Sequence, residues 1–307
     1  MQVVHPPVVS SPSRAQLWTA LIAVYILWGS TYLFAHFMTE RMPPLYMASL
    51  RFLTAGGLLY GYARLTGAPR PTSVNWRSAA VLGVLLLSIG NGAVTTSLRY
   101  IPSGLAALLI ATLPVFLLTF NWIGFARSRP SNPALLGLGL GLVGVFFLIR
   151  PDSLRGTGDA GAMLIGLALT MLANVTWALG TLLTPRLTVP QSPALSSGMQ
   201  MLAGGFVLLA VALLTEPVTL VSIGQAPPKA FYSLAYLIVF GSIIGFSAFS
   251  WLARNAPPTL ASTYAYVNPV VALALGAAFA GETVTVQSLI GAAIIVSGVV
   301  LITREKK

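Results

Sequence analysis

The sequence predicts an all-α integral membrane protein with ten transmembrane helices in two inverted-topology five-helix repeats. Three observations carry that expectation. Of 307 residues, 56% are hydrophobic and 7% are charged, whereas soluble domains carry about 25% charged residues. The apolar residues fall into ten runs, each close to the roughly 20 residues that a bilayer demands of a helix. The two halves of the chain resemble each other at an offset of about 150 residues.

In the first half the runs are Leu17 to Phe37, Leu45 to Tyr62, Ser78 to Leu98, Ser103 to Phe125 and Pro133 to Ile149. Gly161 to Leu183, Ala194 to Leu214, Phe231 to Leu252, Leu260 to Ala280 and Val286 to Ile302 follow in the second half. Arg51 is the sole Lys, Arg, Asp or Glu within them. Charge, proline and glycine punctuate the gaps, as in Arg70-Pro71, Arg129-Pro130 and Ala256-Pro257-Pro258. Membrane β-strands would be about 10 residues long and alternate apolar with polar, and these runs do not. The division expected is a tail over 1–16, a first repeat over 17–150, a second over 160–303 and a short tail over 304–307. The opening segment is polar and proline-rich without a cleavage pattern, and reads as a disordered cytoplasmic tail.

Basic residues in short loops set orientation. Arg14, Arg64, Arg70, Arg77, Arg127, Arg129, Arg186, Arg254, Arg304, Lys306 and Lys307 fall on one side, with Glu305 as the acid there. Arg41, Arg99, Arg150, Arg155 and Lys229 fall on the other, matched by Glu40, Asp152, Asp159, Glu216 and Glu282. Both termini are therefore expected in the cytoplasm, with the chain in the cytoplasmic (inner) membrane. The net charge of +11 reads as an insertion signal, and nucleic acid is not an expected partner. The chain has no cysteine and two histidines, His5 and His36, so thiol chemistry is excluded and neither a metal site nor a cofactor is expected.

The internal likeness is specific. Trp28 corresponds to Trp177, Ala55-Gly56-Gly57 to Ala203-Gly204-Gly205, Arg99 and Pro102 to Arg254 and Pro257, and Pro114 to Pro269. Gly137, Gly144 and Arg150 recur as Gly291, Gly298 and Arg304. An odd number of spans per half inserts the second half upside down, an architecture that places small-molecule sites near the bilayer midplane where the halves meet.

Several motifs also resemble the EamA family of the drug/metabolite transporter superfamily, in its branch of inner-membrane exporters. They are Trp28-Gly29-Ser30-Thr31-Tyr32, Arg51-Phe52, Gly90-Asn91-Gly92, Ile101-Pro102-Ser103-Gly104-Leu105-Ala106-Ala107, the run Tyr264 to Ala272, and Gly281-Glu282-Thr283. The likeness covers about Leu17 to Ile302. It implies two inverted five-helix repeats, a central cavity and movement of small metabolites. Some relatives carry a glutamate near the end of span three, where this chain reads Thr96-Ser97-Leu98, so no coupling carboxylate carries over.

Polar side chains inside a bilayer cost free energy unless paired, and those that persist face the bundle interior or a wet cavity. Trp28 and Tyr32 share one helical face, Asn174, Trp177 and Thr181 form the equivalent stripe, and Asn91 and Thr95 share a face of span three. With Tyr264 and Asn268 of span nine, the expected cavity lining is Trp28, Tyr32, Asn91, Thr95, Asn174, Trp177, Tyr264 and Asn268. Helix packing and an interfacial aromatic belt use the same residue types. Pro114 and Pro269 each remove an N–H and mark paired helix breaks or hinges. Arg51 is the intramembrane charge, either snorkelling or bonding carbonyls, or else pairing with a substrate carboxylate.

Such a lining suits neutral or aromatic amino acids and drug-like compounds better than phosphates, which call for clustered cations. The function expected is export of small amphipathic metabolites by alternating access, without a carboxylate proton carrier in any span. The alternatives are a non-transporting receptor or assembly subunit and, well behind, an intramembrane enzyme, for which no nucleophile or acid pair can be assembled. Gly139, Gly141 and Gly144 fit G-x-G-x-x-G but lie inside an apolar run with no preceding strand, so they are packing positions.

Overall fold

A computed structural model describes residues 13–39, 43–101, 103–127, 129–148, 160–216, 228–279 and 284–303, without the side chains at 32, 33, 35–39, 103, 104, 148, 276, 279 and 303. The Tyr32 and His36 side chains, Pro102, Arg150, Glu282, Arg304, the tail 304–307 and most of the tail 1–16 thus lie outside the described residues.

All regular structure among the described residues is helical. Helix α1 spans Arg14–Thr39 and α2 Pro44–Leu65. Helix α3 starts as Ser73–Leu82, widens into a π-helix over Gly83–Asn91 and ends as Gly92–Ser97. Helix α4 comes in two pieces, Ser103–Ile110 and Leu113–Phe120, the second running on as a π-turn to Phe125. Next are α5 (Asn132–Leu148), α6 (Ala160–Leu183) and α7 (Pro193–Thr215). Helix α8 repeats the plan of α3, with Pro228–Tyr236, a π-helix over Leu237–Phe246, and Ser247–Asn255. One turn at Pro258–Ala261 precedes α9 (Tyr264–Phe279), and α10 covers Val286–Thr303.

Among the boundaries that differ from the expectation, capping explains the starts of α1 and α3. Helix α1 begins at Arg14, inside the stretch read as a tail, because Ser13 and Gln16 form a reciprocal cap: the Gln16 N–H donates to Ser13 Oγ at 3.2 Å and the Ser13 N–H to Gln16 Oε1 at 3.0 Å. Helix α3 begins at Ser73 and not Ser78, since Thr72 and Asn75 exchange the same pair of bonds.

Among the described residues five helices are long and apolar enough to cross a membrane: Ser73–Ser97, Leu105–Phe125, Ala160–Leu183, Pro193–Thr215 and Pro228–Asn255. Asn132–Phe147 and Val286–Ile302 are apolar but shorter. Large apolar side chains such as Ile26, Leu58, Phe146, Leu164, Phe206 and Leu213 point outward and are exposed. In water such a surface would be an aggregation hazard; against lipid it is the expected exterior.

The packing order has an internal symmetry. Helices α2 and α7 form one tight pair and α5 and α10 another, while α1 packs on α8 and α9, and α6 on α3 and α4. Replacing each helix by the one five places along reproduces the same scheme. Small residues let the tight pairs approach backbone to backbone. A methyl group added at Gly56 would sit 2.9 Å from the Gly198 carbonyl oxygen, and one at Gly137 would sit 2.7 Å from that of Gly298.

Candidate functional site

Helices α1, α6, α8 and α9 converge on a cluster of aromatic rings. The Trp28 ring lies 5.7 Å from Trp177, 5.1 Å from Phe249 and 4.9 Å from Tyr264, centroid to centroid. Phe249 closes the set, 5.5 Å from Trp177 and 5.6 Å from Tyr264. The Trp28–Trp177, Trp28–Tyr264 and Phe249–Tyr264 pairs are edge-to-face, the arrangement that sets a ring's positive edge against its neighbour's negative face.

Each tryptophan is seated on a glycine of a π-helical stretch. A methyl at Gly245 of α8 would fall 2.7 Å from Trp28 Nε1, and one at Gly90 of α3 would fall 2.9 Å from Trp177 Cε3. Both seats thus depend on a missing side chain. The two indoles differ in bonding: Trp28 Nε1 donates to the Gly241 carbonyl at 3.0 Å, whereas buried Trp177 Nε1 has no acceptor among the described residues. A π-helix shifts its hydrogen bonds by one residue, and such stretches are frequent at functional sites.

Polar residues on the same helix faces serve the helix interruptions. Asn174, one turn before Trp177, donates Nδ2 to the Leu109 carbonyl at 2.7 Å and to Thr112 Oγ1 at 3.1 Å, at the point where α4 is interrupted. Tyr25, one turn before Trp28, shares a 2.5 Å hydrogen bond with Thr263 Oγ1 in the turn before α9. Pro114 sits second in the Leu113–Phe120 piece, where an N–H is not needed. Pro269 lies inside α9, and the interruption falls upstream at Ser262 and Thr263.

The structure therefore brings Trp28, Trp177 and Tyr264 together. Asn268 is one turn along α9, 4% exposed, with its Oδ1 buried and unbonded among the described residues. Asn91 and Thr95 are bonded to each other, Thr95 Oγ1 donating to the Asn91 carbonyl at 2.8 Å, next to the Gly90 seat of Trp177. Arg51 donates Nε–H to Ser242 Oγ at 2.7 Å. Sequence reasoning missed Phe249, which stands among other apolar residues without a distinguishing mark. It also missed Tyr25, although the internal repeat that pairs Trp28 with Trp177 pairs Tyr25 with Asn174. Among the described residues no group of His, Cys, Asp or Glu could hold a metal ion.

A helical chain with apolar outer faces and an interior aromatic and amide cluster defines a multi-pass membrane protein. Residues 16–150 and 164–304 each match the EamA-like transporter family, and the chain belongs to it. It is 39% identical to the "uncharacterized inner membrane transporter YedA" of Escherichia coli K12, over 94% of this chain and 91% of that protein. It is 29% identical to Protein PecM of Dickeya dadantii over 92% of each chain. A solved crystal structure at 19% identity shares the fold with a TM-score of 0.76, covering 94% of this chain and 96% of its own.

Proposed function

We propose that the protein is a ten-span secondary transporter that exports small amphipathic metabolites, neutral or aromatic amino acids and drug-like compounds among them. Its two five-helix halves are inverted relative to each other, work by alternating access, and leave both termini in the cytoplasm. One observation carries this reading: Trp28 and Trp177, which correspond in the two halves, meet ring to ring at 5.7 Å. A site built jointly by equivalent residues of two repeats is the midplane arrangement of such carriers. The symmetric packing order of the helices supports the repeat relationship.

Because the rings touch one another, a ligand enters by parting them, which is the rearrangement that rocking one half against the other supplies. Trp28, Tyr32, Asn91, Thr95, Asn174, Trp177, Tyr264 and Asn268, with Phe249, are the proposed lining, and Pro114 and Pro269 the flexible points. The test is counterflow of labelled aromatic and neutral amino acids in proteoliposomes. Saturable exchange that falls at least tenfold in Trp177→Ala supports the reading. Absence of exchange for every solute, with ligand binding retained, favours a receptor.

A further inference from the structure

Arg51 is a cation in the interior of the bundle without an anion among the described residues. Its Nε–H is donated to Ser242 Oγ at 2.7 Å, its guanidinium carbon lies 4.9 Å over the Phe52 ring, and Ser242 is fully buried in α8. Glu216 is the one acidic residue among the described residues, and it is paired with Arg99. An arginine does not shed its proton, so the charge must be met in some other way while it stays in the bundle.

The glycine beside the guanidinium links it to the aromatic cluster. A methyl added to Gly241 would lie 3.2 Å from Arg51 Nη2, so the absence of a side chain at 241 is what leaves the terminal nitrogens room. The carbonyl of the same Gly241 accepts the Trp28 indole N–H at 3.0 Å. A single residue therefore lies against both the guanidinium and the Trp28 indole, which sets a charged head beside an apolar body. Ser242 occupies Nε and leaves the Nη pair, the end of the guanidinium fork that can hold a carboxylate end-on through two parallel N–H···O bonds.

From this geometry we infer that Arg51 is the anchor for a carboxylate of the transported molecule, whose apolar or aromatic body lies against Trp28, Phe249 and Tyr264. The inference rests on the transport reading above and narrows its substrates to amphipathic monocarboxylates, zwitterionic amino acids included. A phosphate, with two charges, would call for a second cation, and no other Lys or Arg lies in any of the ten apolar runs.

Matched probes on the full chain in nanodiscs test it: 3-phenylpropanoate against 3-phenylpropanamide, and L-phenylalanine against L-phenylalaninamide, the second pair retaining the ammonium in both members. The wild type is expected to bind each acid about tenfold or more tightly than its amide. Arg51→Gln brings that ratio to about one while amide binding stays within about twofold, and Arg51→Lys keeps part of the preference. Equal binding of acid and amide by the wild type overturns the inference and leaves the transport reading standing, and this comparison needs no variant to fold. Equal weakening of both probes in Arg51→Gln also overturns it, since that is the signature of a purely structural arginine. A wild type that neither binds nor exchanges any of the four overturns the transport reading along with it.

Discussion

The carboxylate of Glu216 accepts from Arg99 Nη2 at 2.5 Å and, with its two oxygens, from the backbone N–H groups of Leu45 and Tyr46 at 3.1 and 2.9 Å. Glu216 is the C-terminal cap of α7, and those amides open α2. One buried acid therefore ties the end of α7 to the start of α2 and to the segment after α3, adding a favourable charge at a helix N-terminus. Its side chain is 0% exposed and that of Arg99 43%. Arg99→Ala leaves the buried Glu216 carboxylate without its cation and is expected to cost about 3–5 kcal/mol, the range for stranding one member of a buried pair, whereas Glu216→Ala leaves a half-exposed arginine to water and two N–H groups without their acceptor, a loss of about 1–3 kcal/mol. Thermal unfolding of the purified variants in one detergent checks the order.

The two tryptophans should not respond alike. Trp28→Phe leaves the Gly241 carbonyl without its donor, a loss of about 1–3 kcal/mol for an orphaned buried group. Trp177→Phe removes an N–H that has no acceptor among the described residues, so stability is expected to hold while affinity for a hydrogen-bonding ligand falls. Unfolding and ligand titration on the same two variants separate the effects.

Gly245→Ala and Gly90→Ala each push a methyl into an indole, an overpacking worth about 1–3 kcal/mol, and should shift the ring cluster. Gly57→Ala, with nothing within 4 Å, is the control. Indole fluorescence and counterflow are expected to change in the first two variants only.

Asn174→Ala deprives the α4 interruption of two hydrogen bonds and is expected to cost about 1–3 kcal/mol. Tyr25→Phe is expected to be milder, because Thr263 Oγ1 also donates to the Leu260 carbonyl at 2.7 Å. Exchange protection of the amides around Ile110 and Thr263 reports each loss locally.

No Asp or Glu lies in any of the ten apolar runs, so an imposed pH gradient is expected to leave initial uptake rates unchanged. Stoichiometric proton movement with the substrate, read by an internal pH dye, is the contrary result.

The helical segments were legible because lipid imposes its demand uniformly: each apolar run had to be long, and Arg51 stood out as the charge that broke the rule. Trp28, Trp177 and Tyr264 were legible through amphipathic spacing and the internal repeat. The π-helical stretches of α3 and α8 were not, since their registry shift arises where Gly90 and Gly245 receive a ring from another helix, a tertiary cause that no local pattern records. The exact place of the interruption near Pro269 was not legible either. A proline inside a helix costs about 3 kcal/mol in isolation, but α9 keeps it and the interruption falls instead at Ser262 and Thr263, where Tyr25 supplies a bond. Phe249 could not be singled out among apolar neighbours whose difference is one of position.

The residue corresponding to Glu216 about 150 positions earlier is Thr66, which caps α2 as Glu216 caps α7. At that opposite end Arg254, the counterpart of Arg99, reaches the Pro190 carbonyl at 3.4 Å, and its buried Nε lacks an acceptor among the described residues. On the alternating-access reading proposed above, two copies of one plan would open toward either face with equal ease, and an acid whose counterpart is a threonine would weight one posture over the other.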